Sequence, residues 1–268
     1  MLSKLLRHEF RATARILLPV YLVMLGSAAL FSLFMTLALR YEDVPALNVF
    51  TGVSATVFVV TIVGASVLTL ALMVYRFYKN YMTDEGYLMF TLPVSTSQLI
   101  WSKLLVALVW SAATLIITLL SVLLLCVIQP NIREQLPNIP ELFRYLELTP
   151  GQLTLYGVEM ALTALCGVLA SFLMFYAAIS LGHSFANHKV LLSVVFYFAF
   201  NMALQSIASF AGIYGLIGLD ESGFFESLPD YTSLIHLGAG VSLLSEVLIG
   251  AVFYLVTHYM LRKRLNLQ

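Results

Sequence analysis

Six stretches of this sequence, at residues 16–39, 49–75, 104–128, 153–182, 190–219 and 237–261, stay predominantly apolar for 24 residues or more. A helix crossing a hydrocarbon core of about 30 Å needs about 20 such residues. A barrel strand would be about 10 residues long and alternate in polarity, and none of the six alternates. Lipid offers no hydrogen-bond partner to exposed backbone, and an uninterrupted helix satisfies its own. The expected fold class is all-α integral membrane, with six transmembrane helices.

Composition agrees. Of 268 residues, 60% are apolar and 10% charged, where a soluble domain has about 45–50% and about 25%. The mean hydropathy is +0.93. A soluble enzyme, a nucleic-acid binder and a disordered tail are excluded. Cys126 and Cys166 both lie inside apolar runs, too few and too buried for a disulfide framework or a zinc site.

The net charge is zero, so only the distribution of charge is informative. One side of the six spans collects Lys4, Arg7, Arg11, Arg15, Arg76, Lys79, Lys103, Lys189, Arg262, Lys263 and Arg264 against Glu9, Asp84 and Glu85. The other side holds three arginines and nine acids. Cytoplasmic loops carry the excess of Lys and Arg, so both termini are expected in the cytoplasm. The first apolar run exceeds the 7–15 residues of a secretory signal and no A-x-A site follows it, so it should remain as an anchor.

Within residues 1–15, Leu2, Leu5, Leu6 and Phe10 recur at helical spacing, opposite Lys4, Arg7, His8, Arg11 and Arg15. Such a helix suits the membrane interface, with its basic face toward anionic head groups. The expected organisation is an interfacial amphipathic helix at 1–15, a single six-helix domain at 16–261 and a cytoplasmic tail at 262–268. Thr149-Pro150-Gly151-Gln152 combines an N-cap, a proline suited to a first helical position and a Gln three residues on. The fourth span should therefore begin near Pro150 and place Glu159 near head-group level. A short amphipathic element is expected at 141–148. The aromatic and acidic segment 218–236 is either a loop or a re-entrant turn.

The loop between spans two and three reads Thr83-Asp84-Glu85-Gly86-Tyr87-Leu88-Met89-Phe90-Thr91-Leu92-Pro93-Val94-Ser95. Thr83 is expected as an N-cap, and Asp84 and Glu85 suit the positive end of a helix. Pro93 disfavours helical geometry at Leu92. A two-turn helix over 84–92 follows, bearing apolar and aromatic residues that either dock in a partner's groove or lie flat on lipid. Ser95-Thr96-Ser97-Gln98 is a capping box that launches the third span, with Lys103 at interface level.

This arrangement resembles the type-2 permease family of ATP-binding-cassette exporters, on Glu85-Gly86, Leu88, Leu92-Pro93-Val94-Ser95 and Lys103. The family's loop usually has a basic residue where this chain has Asp84, and a small one where it has Tyr87. The resemblance implies that Asp84, Glu85, Gly86, Tyr87, Leu88, Phe90, Leu92 and Pro93 form a coupling helix against a separate cytoplasmic ABC-type ATPase. It also implies a second permease subunit in a homo- or heterodimer. ATP and Mg would sit on the partner ATPase, leaving this chain without cofactor or enzymatic activity. The sequence has no G-x-x-x-x-G-K-[ST] and no Gly-Lys pair. The implied function is a membrane permease subunit, exporting an amphipathic peptide, lipid-linked or drug-like substrate.

Other constellations carry less. His183 and His188 are five apart, off the three-or-four spacing of one helix face, and read as an interfacial turn rather than a metal site. No catalytic grouping is present. Gly167/Ser171 and Ala178/Gly182 are four-spaced small pairs that permit close packing. Glu246 stands about ten residues into the sixth span, where an acid costs roughly 2.5–3.5 kcal/mol to insert. It is the substrate-path candidate, or it accepts hydrogen bonds between helices. In the alternative reading, an ATP-independent carrier or channel, Glu246 would be the ion site.

Overall fold

The structure, a computed structural model, describes residues 2–41, 43–91, 93–128, 149–185, 187–224 and 231–263. Leu92, the 141–148 element and the 225–230 part of the 218–236 segment lie outside them. The described elements are α1 (Leu2–Arg40), α2 (Pro45–Met82), α3 (Glu85–Phe90), α4 (Thr96–Ile128), α5 (Pro150–Gly182), α6 (Lys189–Glu221) and α7 (Tyr231–Lys263). All but α3 are long and apolar enough to cross a membrane. Each contains one of the six apolar stretches and extends beyond it, because polar residues at span ends continue a helix without cost once they leave hydrocarbon. The described part of the 218–236 segment continues α6 to Glu221 and turns at Gly223, whose φ of +68° suits glycine.

The expected element at 1–15 is not separate. Residues 2–40 form one helix, since nothing between Leu2 and Leu18 breaks helical geometry and Pro19 is carried inside it. Arg7, His8, Arg11 and Arg15 are exposed along it, while Glu9 and Thr13 are buried.

Two compact units divide the chain, residues 1–73 with 105–149 and residues 74–104 with 150–268. In the first, α1 runs parallel to α4 and antiparallel to α2. Hydrogen-bonded hydroxyls cross between these helices. Tyr21 Oη lies 2.8 Å from Thr114 Oγ1, which lies 3.0 Å from Thr69 Oγ1, and Ser27 Oγ lies 2.8 Å from Thr61 Oγ1. Trp110 Nε1 donates to Thr13 Oγ1 at 2.7 Å. Such bonds average about 0.6 kcal/mol each in membranes, so several rungs are needed to fix a register. Ala28, Phe58 and Leu125 pack together as an apolar plug beyond them.

In the second unit α5 is the central helix, packed against both α6 and α7. With α7 it runs parallel, in a register held over several turns: Tyr156 beside His236, Gly167 against Glu246, Ala170 against Gly250. With α6 it forms an antiparallel hairpin through Phe175 stacked on Tyr197 and Asn201 Nδ2 donating to Met174 Sδ at 3.8 Å.

The α5–α6 turn is tight. His188 adopts φ 55° and ψ 36° to reverse the chain. Gly182 lies so close to Ser193 that a Cβ there would overlap Ser193 Oγ and backbone N. Gly182, one of the four-spaced pair Ala178/Gly182, thus has its reason. His183 is 5% exposed; its Nδ1 donates to the Ile179 carbonyl at 2.9 Å. Burial pushes its imidazole below the ordinary histidine range, opposed by the Ile179 hydrogen bond and reinforced by the Lys189 charge.

Two outcomes follow. Gly182→Val is expected to destabilise the protein by about 1–3 kcal/mol, the usual cost of overpacking, whereas Gly64→Ala, with open space around it, is expected to be neutral or stabilising. Thermal unfolding in detergent reads both. A histidine held below its unfolded value contributes stability that is complete above about pH 6.5 and is lost as pH falls toward the folded value. His183→Gln is therefore expected to flatten the decline of the unfolding midpoint below pH 6.5.

Candidate functional site

The α2–α3–α4 segment is built from its ends inward. Tyr81, near the end of α2, donates its hydroxyl to the Leu99 carbonyl of α4 at 3.0 Å, closing the base of the hairpin. Phe77, one turn earlier, lies flat on Tyr176 of α5 with centroids 3.9 Å apart and planes 6° from parallel, and edge-on to Tyr81. Tyr78 packs beside His183, and Trp101 beside Tyr254 of α7. Phe77, Tyr81 and Tyr176 are among the most deeply buried large side chains of the protein. Lys103, expected at interface level, packs inside the protein. It is 3% exposed, and its ammonium stands 5.5 Å from the Tyr81 ring centroid, within cation–π range.

From this base projects α3. Its observed span, Glu85–Phe90, falls within the expected 84–92. Thr83 is not the N-cap, because its hydroxyl bonds back to the Lys79 carbonyl at 2.5 Å, the local competitor that threonine always carries. Asp84 takes the cap position without a side-chain hydrogen bond, and the Gly86 N–H donates to the Thr83 carbonyl at 2.8 Å. Glu85 pairs with Lys79 at 3.1 Å on the surface. Gly86 is buried, Tyr87 is 54% exposed and Pro93 is exposed. Leu88 and Phe90 belong to the same helix. The capping box at the next helix forms as read. Ser95 N donates to Gln98 Oε1 at 3.2 Å, and Gln98 N to Ser95 Oγ at 3.3 Å.

Glu246 lies elsewhere, midway along α7, and lines a cavity of about 310 Å³ with Trp101, Cys166, Leu173, Val247, Ala251 and Tyr254. Its carboxylate rests against Gly167 of α5, where a Cβ would sit 3.7 Å from Cδ and Oε1. Of the two readings of this acid, the hydrogen-bonded one finds no partner among the described residues.

One pair escaped the sequence reading. His236 Nδ1 donates to both carboxylate oxygens of Glu159, at 2.8 and 2.9 Å, with Tyr156 stacked on the imidazole at 4.5 Å. The available signal was an acid early in the fourth span and a histidine just before the sixth, which runs in the same direction.

No curated protein and no solved structure matches this chain. A family model described as "ABC-2 family transporter protein" matches residues 14–156, more than half the chain, from α1 through the α2–α3–α4 segment into the start of α5. With six membrane-length helices around that match, the chain belongs to the ABC-2 transporter family and is a multi-pass membrane permease.

Proposed function

We propose that this chain is the membrane subunit of an exporter for amphipathic substrates, driven by a separate cytoplasmic ABC-type ATPase through α3. Both termini and the α3 hairpin then lie in the cytoplasm, as the one-sided excess of Lys and Arg supports. A second permease subunit completes the pathway, and ATP and Mg act on the ATPase chains. The basic outer face of the first turns of α1 lies against anionic head groups. ABC-2 permeases generally work with a cytoplasmic ATPase.

The observation that carries the coupling role is the contrast between the two ends of the hairpin. The tip at Glu85–Phe90 presents the half-exposed Tyr87 ring, a residue type enriched at interface hot spots. The base is locked by the Phe77–Tyr176 stack, the Tyr81 hydrogen bond and the Trp101–Tyr254 contact. A push on the tip therefore reaches α5 and α7 as displacement rather than being absorbed by a loose loop. Asp84, Glu85, Gly86, Tyr87, Leu88, Phe90, Leu92 and Pro93 form the coupling surface, and Glu246 lies on the substrate path.

Leu88→Glu and Phe90→Glu, each measured with the co-expressed ATPase in vesicles, are expected to lower transport per ATP hydrolysed by about tenfold or more, the loss of one hot-spot contact or about 1.4 kcal/mol. The thermal unfolding midpoint of the permease should stay unchanged. Variants that assemble with the ATPase and transport normally would remove α3 from the coupling role.

A further inference from the structure

We infer that the apolar groove walled by α4, α5 and α7 seats one acyl chain of an anionic phospholipid, with Trp101 and Tyr254 at its ester bonds and Arg262 at its phosphate. The groove and the order of chemistry along it do not depend on the transport reading. Only the assignment to the cytoplasmic leaflet rests on that reading, through the placement of the end of α7.

The body of the occupant follows from the lining. Leu169 and Leu173 of α5, with Val247 and Ala251 of α7, bound a space of about 310 Å³, and nearly all the surface they offer is apolar. Ala170 and Gly250, in contact across the α5–α7 seam, form its floor. Glu246 lies at the deep end, but its carboxylate packs on Gly167, so the groove offers no polar partner to what enters it. A polar solute would lose its hydration there without compensation. A hydrocarbon chain gives up nothing by leaving bulk lipid and gains close contact on several sides, the force that organises apolar groups within membranes. From Glu246 to Tyr254 the groove follows α7 for eight residues, roughly 12 Å, close to the roughly 15 Å of hydrocarbon in one leaflet.

Polarity along α7 then changes in the order found in a phospholipid. At the shallow end Tyr254 stands 6.2 Å from Trp101 of α4, and both are ring types enriched where hydrocarbon meets head groups. His258, one turn on, stacks against Tyr254 at 6.0 Å and 26°. Arg262, a further turn on, is exposed. Helical side chains lean toward the helix N-terminus, which for α7 is the direction of the groove. Arg262 and His258 therefore reach back toward a phosphate held beside Trp101 and Tyr254. The guanidinium suits bidentate contact with phosphate oxygens, and the imidazole supplies an N–H donor. A neutral hydrocarbon would leave this end unused, and a second copy of the chain would have to cover Arg262. A negatively charged head group complements it.

The test uses the full-length permease without ATPase in phosphatidylcholine nanodiscs. A trace of phosphatidylglycerol carrying a diazirine near the end of one acyl chain is the probe, and phosphatidylcholine with the same chain is its twin. After photolysis, mass spectrometry is expected to find the phosphatidylglycerol label at residues 169–173 and 247–251 well above its level at Val194 and Phe198, which are exposed on α6. The phosphatidylcholine probe should label the groove about fivefold less, the worth of one interfacial cation, and Arg262→Gln should bring the two probes together. Ala251→Phe should remove the groove label from both probes and leave that on α6. Unfolding midpoints close to the parent's establish that each variant is folded; should Ala251→Phe fail to fold, Val247→Phe on the same wall replaces it. Four outcomes each overturn the seat: groove labelling no stronger than that on α6, as a second permease copy covering the groove would give; equal labelling by the two probes in the parent; a preference that survives Arg262→Gln; or full groove labelling in a folded filling variant. None of them bears on the α3 substitutions, whose effect is read as transport per ATP hydrolysed.

Discussion

Inside a bilayer the hydrophobic effect no longer distinguishes one helix neighbour from another, because lipid tails are as apolar as leucine. Helices there adhere through close contact and through the few polar groups that find each other. In the first unit the hydroxyls of Tyr21, Thr114 and Thr69 link three helices at one level. In the second, the work falls to small residues. Gly167, Ala170 and Gly250 bring α5 and α7 together, and Gly182 admits Ser193 of α6. The many exposed leucines, valines and phenylalanines of α6 and α7 are ordinary for helices solvated by hydrocarbon.

The aromatic base of the α3 hairpin solves a different problem. A short helix at the end of two long ones is a weak lever unless its root is stiff. Flat stacking of Phe77 on Tyr176, with Tyr81 edge-on and hydrogen-bonded across to Leu99, fixes the root against α5. Burying Lys103 against Tyr81 adds to it, and leaves a cation where lysine would ordinarily reach for water. Tip and root thus differ in kind, the one exposed at Tyr87 and the other packed around Phe77 and Tyr81.

What the sequence made legible follows the range of the interactions concerned. Span number and extent came from apolar length, which hydrocarbon thickness sets. The start of α5 at Pro150 and the Ser95–Gln98 box came from contacts within four residues. Thr83 failed as a cap because two local partners competed, and composition does not say which wins. The break expected between residues 15 and 16 failed because amphipathic and apolar segments share the same helical backbone, so a change of face need not interrupt it. The Glu159–His236 pair and the buried Lys103 depend on which helices are neighbours, information that periodicity along one helix does not contain.

Glu246 unites these levels. Read along α7 alone, it is an expense with no return. Opposite Gly167 its carboxylate packs against α5, at a distance where a Cβ would still make ordinary contact, and Trp101 and Tyr254 line the same cavity. Among the described residues it has no hydrogen-bonding neighbour, and the cavity that it lines shares Trp101 and Tyr254 with the root of the α3 hairpin.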